Sequence, residues 1–492
     1  MKSVLFAIAA LAGLAAAAGS APVLAPKSVV LRQPVKGEPV TLTYQVDKPA
    51  VVTVAFYADG VEMPASLFTN MTGAVNRKVA AGTHAITWNP VETWPNNSIK
   101  DKVFTARITA WATNCPPDYM VIDLRDLQKK VPFAYYTSTN WLPGTLEDKR
   151  YRTTHLVMRK IPAANKSFWM GSPAGEWGRS PDWTPHSYSY SANRENIHRV
   201  HLTNDFYMCV YPLTYRQHLY PCNYNLPYPL ASCYANPGGF TVEGECWELP
   251  MCGVAYTDLR ACGTPAGASQ ECRYWPRDGH DVDVTNAYDA GLIARKWRLL
   301  WGVPFDLPTE AQWEFACRAG ASAAVHSDGN AHLVSFAGST LGEVAWYLDC
   351  WEVGVNTSSN PPTNPENKAY LPQRVGLKKP NAFGLYDMLG NVWEWCLDAT
   401  TAADYPAVSP DPVTEPAGLE VETNDSSVYR IAKGGGFLSP AYMCRASERI
   451  FVPQTYTSCT WSWPLASAPI DEASIRGKCV GYRLVCPAIA VR

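Results

Sequence analysis

Residues 381–398 read NAFGLYDMLGNVWEWCLD, and this stretch decides the fold. Gly384 and Gly390 allow turns that a residue with a Cβ resists. Asp387 and Glu394 are carboxylates in a run that otherwise reads as buried apolar and aromatic side chains, with Val392, Trp393 and Trp395 forming a wall around them. Carboxylates beside turn carbonyls suit a hard cation, because calcium takes oxygen ligands from side chains and main chain together. The same residues would also make a tight aromatic turn with capped carboxylates, and the spacing leaves both readings open.

Four other segments lie outward from this stretch. Upstream of it stands Phe168-Trp169-Met170-Gly171. Phe305–Gly320, FDLPTEAQWEFACRAG, predicts a helix: Thr309 caps its amino end, and Gln312 is placed to complete a capping box. Trp313 and Ala316 then share a face with Cys317 at its edge, so the helix carries Cys317 into the core. Lys433–Arg449 reads KGGGFLSPAYMCRASER, and residues 481–485 read GYRLV. With GLYDMLGNVWEW among them, these segments in this order resemble the formylglycine-generating enzyme (sulfatase-modifying factor) family over about residues 152–488. The resemblance implies that family's irregular α+β domain, a variant of the C-type lectin fold.

The chain has 492 residues, enough for two or three domains. A formal net charge of −2 gives no electrostatic argument for nucleic acid or an anionic membrane. The 18 Trp, 26 Tyr and 40 Pro point to a loop-rich protein with large aromatic contacts rather than a helical bundle. Residues 1–21 read as a secretory signal: Lys2, an apolar core from Val4 to Ala18, and small residues at Ala18 and Ala21 for cleavage. No later run is long enough for a spanning helix, so the expected location is secreted, extracellular or periplasmic. Fifteen cysteines in an exported chain suggest disulfides, with at least one thiol left over in a monomer.

Residues 22–113 read as an amino-terminal all-β domain. Val40–Val46 alternates apolar and polar residues, Val51–Tyr57 and Val103–Trp111 continue the pattern, and Asp59-Gly60 is a hairpin signal. Short strands with turns and no helical period suggest an immunoglobulin-like sandwich. Residues 114–151 read as a linker broken by Cys115-Pro-Pro, with a short helix at Leu124–Val131. The family-like domain then covers 152–492 and carries two insertions, 219–285 and 450–480. The first, with the nearby Cys209, holds seven cysteines and reads as a disulfide-stapled excursion; it has no CxxC pair to suggest zinc. The second is rich in Tyr, Trp and Ser, and its Tyr456, Trp461 and Trp463 suit either ligand binding or packing.

In the family's enzymes, copper(I) held by two cysteines serves to oxidise a sulfatase cysteine. Copper(I) prefers soft sulfur. Aligned without gaps, Gly436 here takes the place of the family's active-site serine and Ser439 the place of the first copper cysteine. Only the second, Cys444, is kept. Met443 offers a soft sulfur but need not point the same way. Relatives without the copper pair suggest instead a Cys317–Cys444 disulfide. A related branch of iron-dependent sulfoxide synthases uses three histidines. Here His198 and His201 fall three apart in a strand-like run, on opposite faces. His280 with Asp281 and Asp283 reads as a solvated acidic loop. The resemblance implies one calcium site, at Asp387, Gly390, Val392 and Glu394.

The chain is therefore expected to be a non-catalytic, calcium-braced binding or self-assembly module. Its partner would be a protein or glycan met through Arg445, Tyr456, Trp461 and Trp463, and nucleic acid is not expected. A strand-forming segment at Ala21–Val35 could pair with a neighbouring subunit's sheet edge and build a homo-oligomer or filament. The alternative is a copper oxidoreductase centred on Cys444, with Cys459 or Cys479 as its second thiol.

Overall fold

A computed structural model describes residues 21–33, 37–95, 102–125, 133–173, 175–176, 178–179, 195–221, 245–254, 256–260, 293–322, 341–347, 372–400, 413–414, 429–437, 439, 441–453 and 480–489. It divides into two compact units, Met1–Cys115 and Pro116–Arg492. The expected signal segment lies outside the described residues except for Ala21.

The first unit is all-β. Val40–Val46 forms with its alternate residues buried, as the period of two requires, and pairs antiparallel with Val30–Arg32 and Gly82–Trp88. Thr72–Gly73 completes that sheet. In the second sheet, Ala50–Ala58 pairs with Phe104–Ala112 along its whole length, and also with Val61–Glu62 and Arg77–Val79. Asp59 and Gly60 both have positive φ (50° and 77°), so they make the two-residue turn that their sequence signals. The sheets share an aromatic core: Phe56 stacks on Phe68 at 4.2 Å and meets Trp88 at 5.8 Å. Val30–Arg32 is already paired inside its own sheet, and Leu24 bridges Val46. The described part of the Ala21–Val35 segment, residues 21–33, is thus held on this unit, with Val30–Arg32 at the edge of its sheet.

The second unit is mostly β, with few and short helices among the described residues. A five-stranded antiparallel sheet runs in the order Phe133–Tyr136, Tyr119–Asp123, His155–Ile161, Phe206–Cys209, Val485–Pro487. Its first two strands fall in the stretch expected as linker. The first four residues of Tyr119–Asp123, Tyr119-Met-Val-Ile122, are a continuous apolar run, all buried, and lack the alternation that marks a half-exposed strand. The expected helix at Leu124–Val131 lies largely outside the described residues.

Trp393–Thr400 is buried at every position. It pairs antiparallel with Tyr429–Lys433, which pairs with Arg449–Pro453, and its start runs parallel to Val480–Gly481. The helix Glu310–Arg318 packs against this sheet. Its capping box is complete: Thr309 Oγ1 accepts from the Gln312 amide at 3.1 Å, and Gln312 Oε1 accepts from the Thr309 amide at 3.0 Å. Trp313, Ala316 and Cys317 are all fully buried in the core that also holds Met388, Leu389, Cys396 and Cys444.

Candidate functional site

The Lys433–Arg449 segment folds around its glycines. Gly435 has φ +82°, and a Cβ there would sit 2.5 Å from the Cys444 sulfur, so only glycine lets the chain lie against that side chain. Gly390 faces the same constraint across the core, with Trp346 O 2.3 Å from any Cβ. Ser439 is fully buried, and its hydroxyl accepts from the Trp393 indole N–H and the Gly436 amide, both at 3.0 Å. Cys317 is an unbridged thiol whose pKa is raised by burial. The Cys317–Cys444 disulfide expected from the sequence is thus not made; the Cys444 sulfur is turned onto the Gly435 backbone.

Buried charge surrounds this segment. Lys433 Nζ reaches Glu314 at 2.9 Å, Glu310 at 3.3 Å and the Ser447 carbonyl at 3.1 Å. Arg449 holds the other Glu310 oxygen at 2.9 Å, and Arg318 holds Glu314. Arg445, expected to meet a ligand near the altered cleft, is fully buried. It donates to both oxygens of Glu195 (2.7 and 2.8 Å), to Glu448, to Ser447 Oγ and to the Tyr442 carbonyl. A guanidinium can be this deep only when its N–H groups are so matched, and none is left over for a ligand.

The WEW strand carries the second cluster. Both oxygens of Glu394 face Arg483, with Nε at 3.1 and 3.2 Å and Nη2 at 2.8 Å, and Oε2 also accepts from Trp313 Nε1 at 2.7 Å. Asp387, at φ +53°, accepts from the Gly376 amide at 2.6 Å and from Asn391 Nδ2 at 3.4 Å. Burial pushes its carboxyl up to about 6. Gly390 and Val392 are buried between the two carboxylates in sequence. So arranged, these residues do not fit a calcium cage, because the carboxylate meant to close it is already neutralised by a guanidinium. Among the described residues, no group of three or more His, Cys, Asp or Glu is placed to hold a metal.

The sulfatase-modifying factor enzyme 1-like domain model matches residues 171–458, which hold the central helix, the WEW strand and the glycine segment. The chain belongs to this family. It is 29% identical over 210 residues to the chaperone protein LppX of Paenibacillus barcinonensis, covering 42% of this chain and 63% of that one. It is 30% identical over 226 residues to the formylglycine-generating enzyme of Mycobacterium tuberculosis (44% and 61% covered), and 34% over 127 residues to the inactive C-alpha-formylglycine-generating enzyme 2 of Bos taurus (26% and 36%). The chain thus spans less than two thirds of the length of each. Among solved structures, Treponema denticola variable protein 1 aligns at a TM-score of 0.38 and 20% identity, covering 68% of this chain and 96% of that one.

A copper(I) pair of the kind used by the sulfatase-modifying enzymes does not fit the residues present. The hydroxyl of Ser439 is a poor ligand for a soft ion, and it is engaged by two donors. His198 and His201 lie on one strand, as expected; His198 binds the Asn196 carbonyl and His201 meets Ser167 Oγ. Tyr456, Trp461, Trp463, Cys459, Cys479, His280, Asp281 and Asp283 lie outside the described residues. Sequence reading passed over Arg483, Lys433 and Glu195. Lone charges inside apolar runs, as in Ile431-Ala-Lys433 and Tyr482-Arg-Leu484, were the available signal, since such a charge is kept only where a partner waits.

Proposed function

We propose that this family member is exported and does no oxidative chemistry, serving instead as a binding or assembly module at the cell surface or outside it. The observation that carries the reading is Ser439. At the position of the first copper cysteine stands a buried hydroxyl hydrogen-bonded to Trp393 and Gly436, so a bidentate thiolate site is missing its first half. Cys444 is buried against Gly435 and offers a substrate no open approach. The match to a relative described as inactive is compatible with this reading. Fold alone does not decide activity, so the argument rests on the site.

The ligand would be a protein or glycan, met through the aromatic insertion with Tyr456, Trp461 and Trp463, and the amino-terminal unit would be an immunoglobulin-like spacer. The test is oxygen consumption by the purified chain with copper(I) and a sulfatase-type cysteine peptide. No turnover above a peptide-free control is expected. Turnover that Cys444→Ser abolishes would overturn the reading.

A further inference from the structure

We infer that Arg483 does internally what a structural calcium would do for this chain, and that the unit is braced without the ion. Calcium holds loops together by gathering carboxylate and main-chain carbonyl oxygens around one positive charge. The Arg483 guanidinium gathers that same class of ligand. Its Nη1 donates to the carbonyls of Cys209 (2.7 Å) and Val210 (2.9 Å), its Nη2 to the carbonyl of Tyr386 (2.8 Å) and to Glu394, and its Nε to Glu394. Every N–H of the fork is used, which fixes the side chain in one orientation. It joins four segments: the end of the Phe206–Cys209 strand, the turn at Tyr386, the WEW strand and the chain's last strands.

Charge makes the arrangement exclusive. Arg483 is fully buried and Glu394 nearly so, at 0% and 1% exposure. A dication on Glu394 would touch a guanidinium with no water between to screen the repulsion. To bind, it would have to displace Arg483, leaving an uncompensated buried charge and three stranded carbonyls. Asp387, the other carboxylate of the expected cage, already has partners in Gly376 and Asn391.

The test uses the full chain stripped with a chelator, then melted in excess calcium and in excess chelator, with calcium binding followed by equilibrium dialysis. The two melting curves are expected to coincide. A melting point raised several degrees by calcium, together with one bound ion per chain that Asp387→Ala abolishes, would overturn the inference, since alanine leaves no side-chain oxygen there to hold the ion. An ion that Asp387→Ala retains sits elsewhere and leaves it standing. Because the decisive measurement is on the unaltered chain, a variant that fails to fold does not block it.

Discussion

Arg445 and Asp398 show how burial sets the behaviour of single side chains. Arg445 neutralises Glu195 and Glu448 with no solvent nearby. Arg445→Met should cost about 3–5 kcal/mol, since removing one partner strands buried carboxylates. The readout is a lowered denaturant midpoint; a surface ligand-binding arginine would leave that midpoint unchanged. Asp398 is buried, and burial and the neighbouring Glu310 push its carboxyl up to about 7, outweighing the Glu310 amide that donates to it at 2.6 Å. The folded state therefore holds a proton that the unfolded chain has released. This group's contribution to stability is fully present below the ordinary carboxylate pKa, falls as pH rises, and is lost once pH passes about 7. Asp398→Asn keeps an acceptor and removes the charge. Its melting point should exceed the wild type's by a margin that widens between pH 4.5 and 8; a constant margin would show that the group does not titrate in that range.

At the scale of elements, the Glu310–Arg318 helix was fully legible in the sequence because its signals are local. Thr309→Ala should cost about 1 kcal/mol through loss of the cap, read from the unfolding midpoint with the denaturant slope unchanged. The half-buried strands of the first unit were legible for the same reason, since alternation is written in adjacent residues. Tyr119–Asp123 was not, because a strand covered on both faces shows no alternation. The candidate site was legible in its glycines, in Ser439 and in Cys444, but not in its charges. Arg445 finds Glu195 at a separation of 250 residues and Arg483 finds Glu394 at 89, and no periodicity reports such partners. Glu394 could therefore be read as a cation ligand while the identity of the cation stayed hidden.

For the whole molecule, the two compact units meet after Cys115, so residues 116–151, read from the sequence as a linker, go with the second unit. A chain starting at Pro116 keeps all five strands of the antiparallel sheet. One starting at residue 152 loses Tyr119–Asp123 and Phe133–Tyr136, uncovering the edge of His155–Ile161 and its apolar side chains. The longer piece should be soluble with a cooperative melt, and the shorter one should aggregate; equal behaviour in size-exclusion chromatography would refute this boundary. The position of Arg483 also has a consequence for biosynthesis. Val480–Gly481 completes the central sheet, Val485–Pro487 completes the five-stranded one, and Arg483 between them fastens both. A nascent chain halted on the ribosome before residue 480 has made most of the core found among the described residues, yet both sheets still lack a strand. Completion of the fold is thus held back until translation passes this point, and a truncation there should leave a protease-sensitive chain.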